Sequence, residues 1–202
     1  MSEIKKTNNK YFSAYLIMLI SSIISLISSF VLSLEALTLA ENANATLACN
    51  INELISCGKV AKSWQSNLLG FPNPFLGLIC EPVVITVAIS GMMGVKFPKK
   101  FMQIASFFYG LGLLFALWLF SQSLFVIKAF CPWCLLVTFS TITVFTSLLK
   151  VNLLEDNFSI KSEKLKIKIA NFYQRNLDIA TTAILYGSIL ILIMFKYHKV
   201  LF

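Results

Sequence analysis

Residues 11–34 contain no charged side chain, and this run constrains the chain more than any other feature. At about 1.5 Å per residue, a helix of that length crosses a hydrocarbon core about 30 Å thick. Lipid offers no partner to backbone N–H and C=O groups, so a single span must be a helix. Four more apolar runs follow, at residues 75–95, 101–127, 135–149 and 179–195. The chain is therefore expected to be an all-α integral membrane protein. Residues 1–150 form a four-transmembrane-helix bundle with a polar loop at about 41–72. Residues 151–178 are a basic connection, and residues 179–202 carry a fifth C-terminal transmembrane helix and tail.

Composition supports this and removes the competing classes. Hydrophobic residues make up 57% of the chain and charged ones 13%, with mean hydropathy +0.79, whereas a soluble domain carries about a quarter charged residues. The net charge of +8 comes from lysines spaced between apolar runs rather than gathered in a patch, so they set topology and do not bind nucleic acid. Five spans with the first residues inside place Lys5, Lys6, Lys10, the lysines at 96–100, and the five lysines and Arg175 within 150–175 on the inner side. Lys59, Lys62, Lys128, Lys196 and Lys199 then lie outside. The positive-inside bias selects a cytoplasmic N-terminus, with the plasma (inner) membrane as the location. The first run is too long for a signal segment and is expected to be retained. Its serines, from Ser21 to Ser33, suit close helix contacts. Residues 165–172 carry apolar side chains at spacings that fit a helix lying on the membrane surface.

The chemistry concentrates in cysteines. Cys131-Pro132-Trp133-Cys134 heads the fourth run, and Pro132 suits the first helical position, where its missing N–H costs nothing. The positive end of the helix dipole falls on these thiols and favours the thiolate, the species that attacks disulfides. A Cys-x-x-Cys is also half of a zinc site. The second pair, Cys49 and Cys57, lies in the polar loop. The topology puts all four on the outer side, where disulfides form. A four-cysteine zinc site and static structural disulfides are the competing readings. Cys80, inside the second run, reads as a packed core thiol. Trp118 and Trp133 read as packing or interface aromatics, and His198 as a solvated side chain.

Cys49 and Cys57 with Ser63 after them, the segment Phe71-Pro72-Asn73-Pro74-Phe75-Leu76-Gly77, the Cys-Pro-Trp-Cys motif, and Trp118, Gln122 and Ser123 together resemble a bacterial vitamin K epoxide reductase homologue. The resemblance covers about residues 14–149. The order, loop pair first and Cys-x-x-Cys last, is the reverse of that in unrelated DsbB-type quinone enzymes. The resemblance implies a four-helix bundle around a quinone, menaquinone or ubiquinone, capped by the loop. It implies a relay in which partner thiols reduce Cys49–Cys57, Cys57 passes electrons to Cys131, and Cys134 meets the quinone. It makes Asn73 a donor to a quinone carbonyl and adds Phe75, Thr138 and the loop-supporting Ser63 to the cofactor-binding set. An Asn-Pro turn capping the second helix is the alternative for Asn73, and a simple helix cap the alternative for Ser63. Thr138 departs from animal members, which have a tyrosine near the quinone. Residues 150–202 show no fused thioredoxin-like domain, so a separate DsbA-like thioredoxin-fold partner is expected.

The resulting expectation is a quinone-dependent thiol oxidoreductase that supports disulfide formation. The alternatives are a quinone or quinone-epoxide reductase using the same cysteines, and a metal-binding membrane transporter or assembly factor. Two intramembrane carboxylates, Glu35 and Glu81, are functional candidates by their cost alone. Each is expected about 6–11 Å inside the outer end of its helix. At a shared depth they would share a proton and relay protons to reduced quinone; the alternative is a protonated side chain hydrogen-bonded to serine or backbone.

Overall fold

The computed structural model describes residues 2–47 and 49–201, with side chains for 11–47 and 49–196; His198 lies outside the latter. Seven α-helices are described: α1 (Ser2–Glu41), α2 (Cys57–Ala61), α3 (Pro74–Met92), α4 (Lys99–Gln122), α5 (Pro132–Leu154), α6 (Glu163–Gln174) and α7 (Leu177–Leu201). Five of them are long and apolar enough to cross a membrane, α4 together with a π-helical turn at Ser123–Ile127. The chain is a multi-pass membrane protein.

α1 is the central helix, packed against α3 on one side and α5 on the other, and α5 in turn packs against α4. The serine stripe explains why α1 takes this place. Ser22, Ser25, Ser28, Ser29 and Ser33 are all buried, and their short side chains let neighbouring backbones approach. On α3, a Cβ at Gly77 would overlap Ser29, and one at Gly91 would overlap the Tyr15 ring. The α1–α3 contact therefore requires glycine at these two positions. α3 and α4 are not a closely packed pair; the Tyr109 hydroxyl on α4 bridges to Glu81 on α3 at 3.1 Å.

Two apolar clusters mark the ends of the bundle. One joins Met18, Val87, Met102, Val144 and Val151, and the other joins Leu32, Leu47, Cys49, Cys57 and Cys131. α5 continues past the end of its apolar run at residue 149, because its last turn is satisfied internally. Lys150 pairs with Asp178 of α7 at 2.6 Å. Asn152, fully buried, donates to Ser106 Oγ at 2.6 Å and accepts from Asn157 at 2.8 Å. α5 thus runs to Leu154, since a buried cation and amide with partners continue a helix as well as apolar residues do. α7 lies along α5, where the Tyr186 hydroxyl donates to the Phe139 carbonyl at 2.7 Å and meets Thr143 Oγ1. The amphipathic helix expected at 165–172 is α6, with Tyr173 its buried side chain.

Candidate active site

The polar loop is built by short side chains that replace missing backbone partners. Asn52 Oδ1 accepts from the N–H groups of Leu54 (2.9 Å) and Ile55 (2.7 Å). Asn50 Oδ1 accepts from the Gly58 N–H at 2.9 Å and from Ser56 Oγ at 3.0 Å. Ser56 caps α2 by accepting from the Lys59 N–H at 3.2 Å, a contact that stabilises a helix start by about 1 kcal/mol. These bonds place Cys57 at the first helical position, where it forms a disulfide with Cys49 across a Cα separation of 5.7 Å. Both are buried, Cys49 at 7% exposure and Cys57 at 1%, so Cys49 is the more exposed residue of the pair.

The second pair is delivered by a tight return. Ser123 Oγ donates to the Ala129 carbonyl at 2.5 Å, and Lys128 takes a left-handed conformation (φ 56°) to reverse the chain. Cys131 is then the N-cap of α5, with its Sγ accepting the Cys134 N–H at 3.3 Å. Both are free thiols, Cys131 buried and Cys134 half-buried. The helix N-terminus thus aims a backbone N–H at the Cys131 sulfur.

The two pairs are stitched together by backbone. The Phe130 N–H donates to the Leu54 carbonyl at 2.6 Å, and the Ser56 N–H donates to the Phe130 carbonyl at 2.8 Å. Cys57 and Cys131 each follow a residue of this bridge, and both belong with Cys49 to one buried cluster, against which Cys134 packs. Among the described residues, Glu35 Oε1 also lies 3.1 Å from Cys49 Sγ. Ligand atoms of Glu35, Cys49 and Cys57 fall within 4.8 Å of one another. With the sulfurs joined to each other, neither is a thiolate able to hold a metal.

Beneath the pairs lies a cavity of about 1380 Å³, bounded by α1, α3, α4 and α5 and lined by Cys57, Cys131 and Cys134 at one end. Asn73 lines it too. Its Nδ2 donates to the Gln65 carbonyl at 2.7 Å, while its Oδ1 is buried with no hydrogen-bond partner among the described residues. Asn73 is the N-cap residue of α3, and its side chain makes no cap hydrogen bond there. Ser63 lines the cavity while its Oγ donates to the Val60 carbonyl at 2.6 Å, and Thr138 lines it with its Oγ1 donating to the Cys134 carbonyl at 2.9 Å.

Three expectations need correction. Phe75 is half-buried and does not line the cavity, unlike Pro74, Leu76 and Gly77. It belongs with Leu78 and Pro82 to the helical stripe turned away from it. Cys80 is exposed and borders the cavity rather than packing in a core, because α3 and α4 stand apart beside it. Glu35 and Glu81 do not share a depth. Glu81 Oε1 accepts from Ser25 Oγ at 2.7 Å, and Ser25 lies about 15 Å along α1 from Glu35. The cause is that α1 projects well past the start of α3, as the Gly77–Ser29 contact shows.

Tyr109 and Gln65 were not legible as site residues. Tyr109 is a hydroxyl inside a charge-free run, which was its one signal. Gln65 is 2% exposed and donates to Gln122 Oε1 at 3.4 Å, a pairing that links the loop to α4. Trp118 stacks on Phe115 and meets Trp64 edge-on, and Trp133 packs against the cysteine cluster, both in packing roles.

No curated protein matches the chain. A family model does: that of the Vitamin K epoxide reductase family, over residues 16–149. The matched stretch runs from the first turns of the α1 span to the end of the α5 apolar run, enclosing both cysteine pairs and the cavity, and the chain belongs to that family.

Proposed function

We propose that this protein oxidises the thiols of a separate DsbA-like thioredoxin-fold partner and delivers the electrons to membrane quinone. Family membership carries the coarser part, a quinone- or epoxide-linked thiol oxidoreductase. The observation that carries the finer part is the backbone bridge at Phe130, which holds the loop disulfide against the Cys131 thiol.

In this reading a partner thiolate attacks Cys49, the more exposed residue of the pair, and Cys57 leaves. The partner's second thiol resolves the mixed disulfide, so the partner is oxidised and the loop pair reduced. Cys57 then attacks a Cys131–Cys134 disulfide at Cys131 and releases Cys134. Cys49 displaces Cys131, which restores the loop disulfide and leaves two electrons on the Cys131–Cys134 pair. Quinone, when bound, accepts those two electrons with two protons. The cavity residues fit such a group. Asn73 has an unpartnered buried Oδ1 able to accept a hydroxyl proton, and one amide N–H able to donate to a carbonyl. Glu81, 4% exposed, lines the same cavity with its Oε2 unpartnered, and holds a proton there in this reading. The gap between α3 and α4 opens the cavity sideways, the route an apolar molecule dissolved in lipid requires.

The twelve-to-five Lys/Arg asymmetry supports an N-terminus inside and cysteines outside. The test is purified protein supplied with a reduced thioredoxin-fold protein and a short-chain quinone. Coupled oxidation of the one and reduction of the other is expected. Epoxide turnover without partner oxidation would favour the reductase reading. Stoichiometric zinc on the reduced protein without redox cycling would favour the metal-binding one.

A further inference from the structure

We propose that Glu35 is a catalytic residue of the thiol exchange itself, exchanging a proton with Cys49. Its Oε1 sits 3.1 Å from Cys49 Sγ, and its Oε2 is buried without a partner among the described residues. A disulfide sulfur has no hydrogen to give, so a hydrogen bond in this oxidised state needs the proton on the carboxyl, with Cys49 as acceptor. The titratable groups facing Glu35 are the loop pair and, behind it, Cys131 and Cys134. Ion pairs among the described side chains involve Lys150 and Lys166, so none neutralises Glu35. A carboxyl placed against a sulfur, with no cation beside it, is equipped to trade a proton with that sulfur.

The inference rests on the proposed relay and assigns its proton. When the partner's second thiolate attacks its own mixed disulfide, Cys49 departs with the bonding electron pair and takes the proton from Glu35. Later Cys49 returns that proton to Glu35 as its sulfur attacks Cys57 in the Cys57–Cys131 disulfide, and Cys131 leaves as a thiolate. The partner dithiol loses two electrons, the Cys131–Cys134 pair gains two, and Glu35 ends as it began. The role is separate from any proton supply to quinone. It also accounts for Glu35 standing some 15 Å along α1 from the level of Glu81.

The test is reduction of the full-length protein's loop disulfide by dithiothreitol without quinone, followed by acid quench and thiol labelling. The wild-type to Glu35→Gln rate ratio at each pH cancels the ionisation of dithiothreitol. A ratio of roughly 100 or more is expected at about pH 6.5, the scale of lost general acid–base catalysis. It should shrink to a few-fold near about pH 9.5, where thiolates no longer need a proton partner. Glu35→Asp, with its carboxyl retained but drawn back, should show an intermediate ratio and the same pH trend, and it tests the idea if the glutamine variant does not fold. A ratio that is the same at both pH values, or near one, overturns the assignment. Failure of the wild-type protein to reduce quinone would instead overturn the proposed function, because the dithiothreitol step needs no quinone.

Discussion

Ser56 donates its N–H to the carbonyl of Phe130 at 2.8 Å, and the next residue on each strand is a cysteine. A flexible loop of this length would otherwise sample many positions, at an entropic cost each time its thiols met α5. The bridge settles that cost at folding. It also leaves Cys57, not Cys49, as the loop cysteine adjoining the bridge, the arrangement that the proposed relay requires.

The first prediction follows from that adjacency. Cys134→Ala cannot form the Cys131–Cys134 bond, so Cys131 should stay joined to its donor. Non-reducing peptide mapping should find Cys57 linked to Cys131, with quinone-linked turnover at background. Conversely, Cys57→Ala should trap an added partner on Cys49. A Cys49–Cys131 link in the first variant would reverse the order of the loop pair.

Glu81 makes a different prediction. Glu81→Gln keeps an oxygen to accept from Ser25 and Tyr109 but cannot release a proton. Quinone-linked turnover should fall by roughly ten- to a hundredfold, while dithiothreitol reduction of the loop disulfide is unaffected. Glu81→Ala should in addition destabilise the protein by about 1–3 kcal/mol, since the buried Ser25 hydroxyl and the half-buried Tyr109 hydroxyl lose their acceptor. Wild-type turnover in Glu81→Gln would reduce the residue to a structural one.

The Lys150–Asp178 pair, at 8% and 14% side-chain exposure, ties α7 to the bundle. Asp178→Asn should destabilise by about 3–5 kcal/mol, because it leaves a buried ammonium without its counter-charge. The double variant Lys150→Met with Asp178→Leu should recover most of that loss in thermal unfolding. Because α7 contributes no cysteine, the double variant should also retain thiol oxidation. Loss of activity in a stable double variant would show that α7 does more than support α5.

Topology is testable directly. After reduction, Cys49 should react with a membrane-impermeant thiol reagent added outside intact cells and resist the same reagent supplied from the cytoplasmic face. The opposite pattern would invert the orientation drawn from the lysines.

Several features were determined by the sequence alone. Charge-free runs long enough to span lipid have one viable backbone form, so the helices and their approximate limits follow from composition along the chain. The cysteine spacing and the Phe71–Gly77 segment likewise carried the family, because exchange chemistry and a helix start each demand particular residues at particular intervals. Other features belong to the tertiary structure. Glu35 and Glu81 have similar spacing from their helix ends, yet the stagger of α1 past α3 sends one to the loop disulfide and the other to Ser25 and Tyr109. Phe75 and Leu76 are neighbours in sequence, and only the rotation of α3 about its axis turns one from the cavity and the other into it. Lys150 reads as the start of a polar connection until Asp178 is seen beside it. Stagger, rotation and pairing across helices depend on contacts between residues far apart in the chain, and local periodicity carries no record of them.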